Sequence, residues 1–190
     1  MIDKNFIGHT LSAKGERVTR GSNPVTSEVL PGDFINATDE EITDTVSKSA
    51  LAFQTYRTKT GREKAKFLRA IAEEIENLGE VLIERCCAES GLPLLRVKGE
   101  CGRTTSQLRM FADLIEEGSW VEAVIENGDS KRSPIPKPDL RRMLVPLGPV
   151  AVFAASNFPL AFSTAGGDTA SALAGGNTVI VKAHSAHPGT

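Results

Sequence analysis

Cysteine is scarce in this sequence, and its placement excludes a disulfide framework and the usual zinc spacing. Cys86, Cys87 and Cys101 are the only three cysteines in 190 residues, and two of them are adjacent, which does not fit paired disulfides or C-x-x-C ligation. We therefore expect reduced, buried or half-buried thiols. No further ligand cluster surrounds His184 and His187, so we expect no metal and treat both as ordinary histidines at the surface or at a cofactor's edge.

The sequence also lacks a charge surplus and a long apolar run. Lys+Arg total 22 against 24 Asp+Glu, which leaves no basic excess to bind phosphates of nucleic acid or anionic lipid. No run reaches the roughly 18 apolar residues of a membrane span, and the N-terminus lacks the order of a signal peptide. We expect a cytoplasmic protein with a small-molecule ligand, without nucleic-acid or membrane partners.

The first two thirds of the chain predict short strands followed by amphipathic helices. Residues 1–36 carry short apolar pieces separated by glycine and proline, which predicts a strand pair with turns. Two capping boxes, Thr38-x-x-Glu41 and Thr60-x-x-Glu63, mark helix starts. Apolar residues then recur at helical spacing. Three helices are predicted, over about residues 39–57, 61–90 and 94–118.

After the third helix the pattern changes twice. Alternation over residues 120–125 predicts a strand, and the prolines at 134, 136 and 138 predict that residues 126–138 cross the surface as an extended linker. Beyond Arg142 the chain becomes apolar, rich in small residues and almost free of charge up to Lys182.

The last segment predicts a strand–helix–strand unit. Residues 150–155 and 178–181 are continuous apolar runs, typical of parallel strands covered on both faces, and residues 160–174 are long enough for a crossover helix. Ligands are expected at the carboxyl ends of such strands. The first strand is not followed by G-x-G-x-x-G, which disfavours the standard Rossmann pyrophosphate turn.

Several motifs in this order resemble the aldehyde dehydrogenase superfamily. They are Asn23–Glu28, Glu89–Pro93, Arg103–Arg109, Pro146–Phe153, Ser156–Leu160 and Ala172–Lys182. Within the superfamily, Gly166–Ser171 and Lys182–Thr190 are most similar to the 2-oxoglutarate semialdehyde (2,5-dioxovalerate) dehydrogenases and the NADP-dependent fatty aldehyde enzyme.

The resemblance implies an α/β fold with a helical entry region and strand arms, leading into the first strand–helix–strand unit of a parallel dinucleotide-binding sheet. Residues 1–142 would be an N-terminal helical region with oligomerisation strands, and residues 143–190 an incomplete Rossmann-like unit. The family's nucleophilic cysteine, general base and catalytic domain follow the point reached at Thr190. Whether the chain is a fragment, a truncated form or half of a split protein is left open.

Asn157 matches the Asn-Phe-Pro motif whose carboxamide, in the family, donates to the oxyanion formed when a thiolate attacks an aldehyde. Such a preorganised donor lowers the barrier by roughly 3 kcal/mol. The alternative is that Asn157 merely caps the following helix, a role asparagine fills well. With the resemblance, we favour the oxyanion role.

The resemblance places the cofactor at the strand ends, against Ala155, Ser156, Lys182 and Ser185. Lys182 matches a lysine that reaches the adenosine ribose; alone, an exposed lysine at a strand end is the commoner case. Many relatives carry Glu where this sequence has Ser185. Without that negative charge a 2′-phosphate is not repelled, so we expect NADP as cofactor, with NAD possible.

Arg103 matches a position that lines the substrate entrance in the family. Its guanidinium would hold the remote carboxylate of an acid semialdehyde, although most helix arginines are simply exposed. Phe158 and Phe162 would wall the aldehyde tunnel, and a core role explains them equally well.

Two main hypotheses follow for function. The first is NADP-dependent oxidation of an aldehyde, 2-oxoglutarate semialdehyde to 2-oxoglutarate, by a complete homo-oligomeric enzyme, with the 190 residues alone inactive. The second is a noncatalytic interaction or oligomerisation module, a truncated relative that modulates or assembles with a full-length partner. A stand-alone nucleotide-binding domain is a weaker third, because half of the dinucleotide fold is missing.

Overall fold

The computed structural model describes residues 2–190. Four α-helices lie within this described range, α1 (Asp39–Tyr56), α2 (Gly61–Ser90), α3 (Leu94–Glu117) and α4 (Gly167–Ala174). The first three confirm the predicted helices, and both capping boxes are formed: the Thr38 hydroxyl accepts from the Glu41 amide while the Glu41 carboxylate accepts from the Thr38 amide, and Thr60 with Glu63 repeats the arrangement. In residues 2–190 no helix has the length and apolarity to cross a bilayer.

Close packing of α2, α3 and α4 forms the main core. Small residues at helical spacing let the helices approach closely. The core members are Ala65, Leu68, Ala72, Leu108, Ala112, Ile115, Ala170 and Ala174. Helical spacing of apolar residues in α2 predicts that Leu68, Ile71, Ile75, Leu78 and Leu82 share one buried face. This prediction is wrong at Leu78, which is 55% exposed. Next to it, Gly79 leaves the helical conformation with φ 54° and ψ −136°, a backbone state that favours glycine and that interrupts the helical phase.

Helix α1 packs less completely than its pattern predicts. Ile42, Val46 and Phe53 follow helical spacing, which predicts one buried face. Phe53 is buried, but Ile42 and Val46 are about half exposed. The helix is held instead by polar contacts: the Tyr56 hydroxyl donates to the Leu173 carbonyl at 3.0 Å, and the Ser49 hydroxyl donates to that of Thr178 at 3.0 Å.

The N-terminal region contains two antiparallel strand pairs rather than one. Strand β1 (Asn5–Ile7) pairs with β2 (Thr10–Ser12), and β3 (Val18–Thr19) pairs with β4 (Phe34–Ile35). The Glu41 carboxylate also accepts a hydrogen bond from the Ser12 hydroxyl, which ties β2 to the start of α1.

The segment between α3 and the parallel strands corrects two expectations. Residues 119–121 form a 3-10 turn, and the strand β5 (Val124–Glu126) begins only after it. The residues predicted to be an extended linker are instead the loop of a hairpin, because β5 pairs antiparallel with β6 (Leu140–Arg142). The Asp129 and Lys137 backbones also pair within this loop; proline prevents donation only at its own nitrogen.

Strands β7 (Val150–Phe153) and β8 (Val179–Lys182) form the predicted parallel pair. They are not covered on both faces among residues 2–190: Val152 is 5% exposed, whereas Phe153 is 73% exposed. The described helices therefore cover the Val152 face of the pair and leave the other face open.

The crossover helix is shorter than predicted, since α4 starts at Gly167 and not near Leu160. The preceding residues use their backbone groups elsewhere: the Gly167 amide donates to the Ala161 carbonyl at 2.9 Å, and the Ala155 amide donates to the Phe162 carbonyl at 2.8 Å. A Cβ on Gly166 would overlap the Ala161 carbonyl oxygen, so the tight turn requires glycine.

We expect Leu108→Ala to lower the free energy of unfolding of the chain by about 2–5 kcal/mol, because it leaves a cavity among closely packed helices. Leu108 is 0% exposed, and the matched control Leu95→Ala removes a side chain of the same helix that is 84% exposed. The control should change stability by less than about 0.5 kcal/mol. Urea unfolding monitored by circular dichroism measures both; equal effects would contradict this description of the core.

Candidate active site

The carboxyl ends of β7 and β8 lie side by side, as the strand–helix–strand pattern predicts. The Ala154 amide donates to the Lys182 carbonyl at 3.2 Å. Ala155 links this edge to the following loop: its amide donates to the Phe162 carbonyl, and its own carbonyl lies 2.8 Å from Nε2 of His187. Ala155, which is predicted to contact the cofactor, is therefore hydrogen-bonded to Phe162, which is predicted to contact the substrate.

Asn157 is exposed at the start of this loop. It does not cap the following helix, because α4 begins after Gly166, which occupies the N-cap position. The helix-cap alternative is thus wrong, and the Asn157 carboxamide is accessible to a ligand. Its backbone carbonyl accepts from Nη2 of Arg96 at 3.4 Å.

The three predicted substrate residues form one cluster. The Phe158 and Phe162 rings meet edge to face with centroids 5.4 Å apart. The Arg103 guanidinium lies 5.7 Å from the centroid of the Phe158 ring and 5.3 Å from that of Phe162, within cation–π range. Both rings are half-buried and Arg103 is exposed, so a cationic group stands over an aromatic surface that solvent can reach.

The sequence interpretation missed two residues of α3 that contact the same loop. The guanidinium of Arg96 lies 4.7 Å from the centroid of the Phe158 ring, and the Glu100 carboxylate is buried against the loop backbone. Their signal was available: positions 96, 100 and 103 follow i, i+4, i+7 spacing, which places them on one helix face.

The predicted cofactor residues lie on both strand ends. Lys182, Ser156 and Ser185 are exposed and Ala155 is half-buried. The exposed ammonium and hydroxyl groups are suitable donors for a phosphate or a ribose. Between Ser156 and Thr190 the only acidic residue is Asp168, in the first turn of α4. The donor set thus fits an anionic nucleotide.

The two histidines close the strand-end side of the site. Their rings stack with centroids 5.3 Å apart, and burial, with the charges of His187 and Lys182 nearby, holds the pKa of His184 below its usual value. The expectation that His187 lies at the surface is wrong, because this residue is only 3% exposed. Because the Ala155 carbonyl can only accept, the Nε2 atom of His187 carries the proton in this contact.

The cysteines confirm their expected structural placement. Cys86 is buried and Cys87 and Cys101 are half-buried. Burial raises the pKa of the Cys86 thiol to about 12, helped by the charge of Glu100, and burial also raises the pKa of Cys87 and Cys101. A thiol with raised pKa is a poor nucleophile. Among residues 2–190 no group of three or more His, Cys, Asp or Glu side chains is placed to hold a metal ion.

Comparisons with known proteins agree on one family. The sequence model described as the aldehyde dehydrogenase family matches residues 11–190. Over 139 residues, 73% of this chain, the sequence is 58% identical to alpha-ketoglutaric semialdehyde dehydrogenase 2 of Azospirillum brasilense. Over 157 residues, 83% of this chain, it is 50% identical to the alpha-ketoglutaric semialdehyde dehydrogenase of Acinetobacter baylyi. These matches cover 26% and 30% of the two relatives.

Solved structures show the same fold. A point mutant of the betaine aldehyde dehydrogenase of Staphylococcus aureus, in complex with NAD+, superposes with a TM-score of 0.84 over 98% of this chain and 36% of its own length. Its sequence identity is 22%, so the likeness concerns the fold alone.

We expect Cys86 to resist alkylation in the native protein. With a pKa of about 12, its thiolate fraction near pH 8 is only about one in ten thousand. Peptide mass spectrometry after brief iodoacetamide treatment should find Cys101 and Cys87 modified before Cys86. The control is the same treatment in denaturant, where all three should react alike. Native labelling of Cys86 as fast as Cys101 would contradict the assigned burial.

Proposed function

Because the chain belongs to the aldehyde dehydrogenase family, we propose that it supplies the N-terminal part of an NADP-dependent enzyme that oxidises 2-oxoglutarate semialdehyde to 2-oxoglutarate. The observation that carries the substrate is the 58% identity to a protein named for that activity. The exposed site at the ends of β7 and β8 supports a role in binding and orienting rather than in nucleophilic attack.

We propose the following division of the chain. Residues 1–142 form the helical entry region with its strand arms, which serve oligomer contacts, and residues 143–190 begin the dinucleotide-binding unit. The packing of α4 between β7, β8 and the α2–α3 pair supports a rigid junction between the two parts. The nucleophile and the general base would belong to the remainder of the enzyme. The raised pKa of Cys86, Cys87 and Cys101 supports this, because a thiol with a raised pKa is a poor nucleophile.

The proposed role of Asn157 is to donate to the developing oxyanion. When a thiolate adds to the aldehyde carbon, the carbonyl oxygen gains negative charge, and a carboxamide N–H aimed at it stabilises the transition state more than the ground state. The accessible carboxamide of Asn157, not consumed by a helix cap, supports this role.

The proposed role of Arg103 is to receive the remote carboxylate of the substrate. A guanidinium makes paired, charge-assisted hydrogen bonds to a carboxylate, and the aromatic rings of Phe158 and Phe162 beneath Arg103 limit its side-chain freedom. The same rings would contact the apolar carbons between the two ends of the substrate.

NADP is the proposed cofactor, held by Lys182 and Ser185 with the backbone of Ala155 and Ser156. Bound NADP+ would accept a hydride from the substrate carbon. The preference for the 2′-phosphate follows from charge, since a cation and a hydroxyl stand where an acidic residue would repel it.

In the complete enzyme, Asn157→Ala should lower kcat by roughly 100- to 1000-fold, the usual effect of losing one oxyanion donor. The dissociation constant for NADP should stay unchanged, because the carboxamide is assigned to the substrate. Steady-state kinetics and a fluorescence titration measure the two quantities. Asn127→Ala, in the exposed β5–β6 loop, is the matched control; a normal kcat in Asn157→Ala would remove the oxyanion assignment.

Ser185→Glu should shift the ratio of kcat/KM for NADP over NAD toward NAD by at least about tenfold, because it adds a negative charge beside the proposed 2′-phosphate position. Ser185→Gln has the same size without the charge and serves as the control. It should change the ratio much less. An unaltered ratio in Ser185→Glu would show that this position does not face the 2′-phosphate.

A further inference from the structure

Glu100 is a buried carboxylate that faces the loop after β7. Its side chain is 2% exposed and lies in the second turn of α3. Its Oε1 atom accepts hydrogen bonds from two successive backbone amides, those of Leu160 and Ala161, both at 2.9 Å. Burying a carboxylate is costly unless hydrogen bonds and charge compensate it, so these two amides carry much of the compensation.

The two oxygens of this carboxylate differ in their surroundings. Oε2 has no hydrogen-bond partner among the described residues, although Nη2 of Arg96 lies 3.5 Å away. Glu100 therefore binds the loop through Oε1, which accepts both hydrogen bonds, and this binding does not require Oε2. An amide oxygen in the same place would accept both bonds equally well.

The amides that Glu100 holds lie between the side chains of the site. Leu160 and Ala161 separate Phe158 from Phe162, and Asn157 stands three residues before Leu160. Arg96, one turn before Glu100 on the same helix, reaches the Asn157 carbonyl and the Phe158 ring. The loop is thus attached to α3 on both sides of Phe158.

We propose that Glu100 is a positioning residue: by accepting from the Leu160 and Ala161 amides, its carboxylate fixes the segment from Asn157 to Phe162 on α3 and so sets the place of the Asn157 carboxamide and the aromatic pair. The expected effect of Glu100 on turnover rests on the proposed function. The expected effect of Glu100 on the position of the loop does not depend on that function.

Three substitutions separate the hydrogen bonds from the charge. Glu100→Gln keeps the length and an acceptor oxygen but removes the charge. Glu100→Asp keeps the charge but withdraws the oxygens by about 1.5 Å, beyond hydrogen-bond reach of both amides. Glu100→Ala removes both. The control is Glu76→Gln on α2, whose exposed carboxylate binds Arg109 across the helix pair and does not contact the loop.

Residue-resolved hydrogen exchange of the polypeptide, as its source produces it, reads out the loop directly. In Glu100→Ala and Glu100→Asp we expect the Leu160 and Ala161 amides to exchange at least roughly tenfold faster, while α2 and α3 core amides keep their protection. Glu100→Gln and Glu76→Gln should match the original protein. Kinetics of aldehyde oxidation should follow the same order, with a roughly tenfold lower kcat for Asp and an unchanged dissociation constant for NADP.

The outcomes divide cleanly. If Glu100→Asp behaves as the original protein and Glu100→Gln does not, the charge and not the hydrogen bonds holds the loop, and the proposal fails. Equal loss of amide protection in Gln and Asp also overturns it. If Glu100→Ala fails to fold, the comparison of Glu100→Gln with Glu100→Asp still decides whether the hydrogen bonds hold the loop. Absence of any aldehyde oxidation would remove the proposed function, while hydrogen exchange still decides the role of Glu100.

Discussion

The hydrogen bonds between the buried Glu100 carboxylate and the Leu160 and Ala161 amides determine the path of the chain after the first parallel strand. These amides bind α3, and the residues that follow form a turn, closed by the hydrogen bond from the Gly167 amide to the Ala161 carbonyl, before α4 begins at Gly167. In the resulting loop the Asn157 side chain does not cap a helix, and two aromatic rings lie beneath Arg103. The geometry of the site thus depends on an acceptor supplied by a helix about 60 residues earlier.

Helices α2 and α3 are the platform that makes this contact possible. Their alanine-rich contact line lets the backbones approach and also receives α4, so the strand–helix–strand unit and the helical region are packed as one body around that line. The core members of this line carry no charge. Outside it, the buried carboxylate of Glu100 on α3 is compensated by backbone amides. The resulting arrangement fixes loop, helix and strand ends relative to one another.

Local signals in the sequence predicted much of the fold. Capping boxes located α1 and α2, and two apolar runs located the parallel strands, because such patterns act within a few residues. The length of α4, the β5–β6 hairpin and the burial of His187 were not predicted, since each depends on a specific hydrogen-bonded pairing that apolar spacing does not reveal. Arg103, Phe158 and Phe162 were named through the family resemblance and lie together in the structure, whereas Glu100 was missed because a helix glutamate is usually exposed.

The central claim is that the strand-end site serves NADP-linked oxidation of a carboxylate-bearing aldehyde. Its most direct test is the steady-state rate of 2-oxoglutarate semialdehyde oxidation by the polypeptide as its source produces it, with NADP and with NAD, followed by the absorbance of the reduced cofactor. The account predicts equal amounts of 2-oxoglutarate and reduced cofactor, with the higher kcat/KM for NADP. No cofactor reduction with either nucleotide would contradict it.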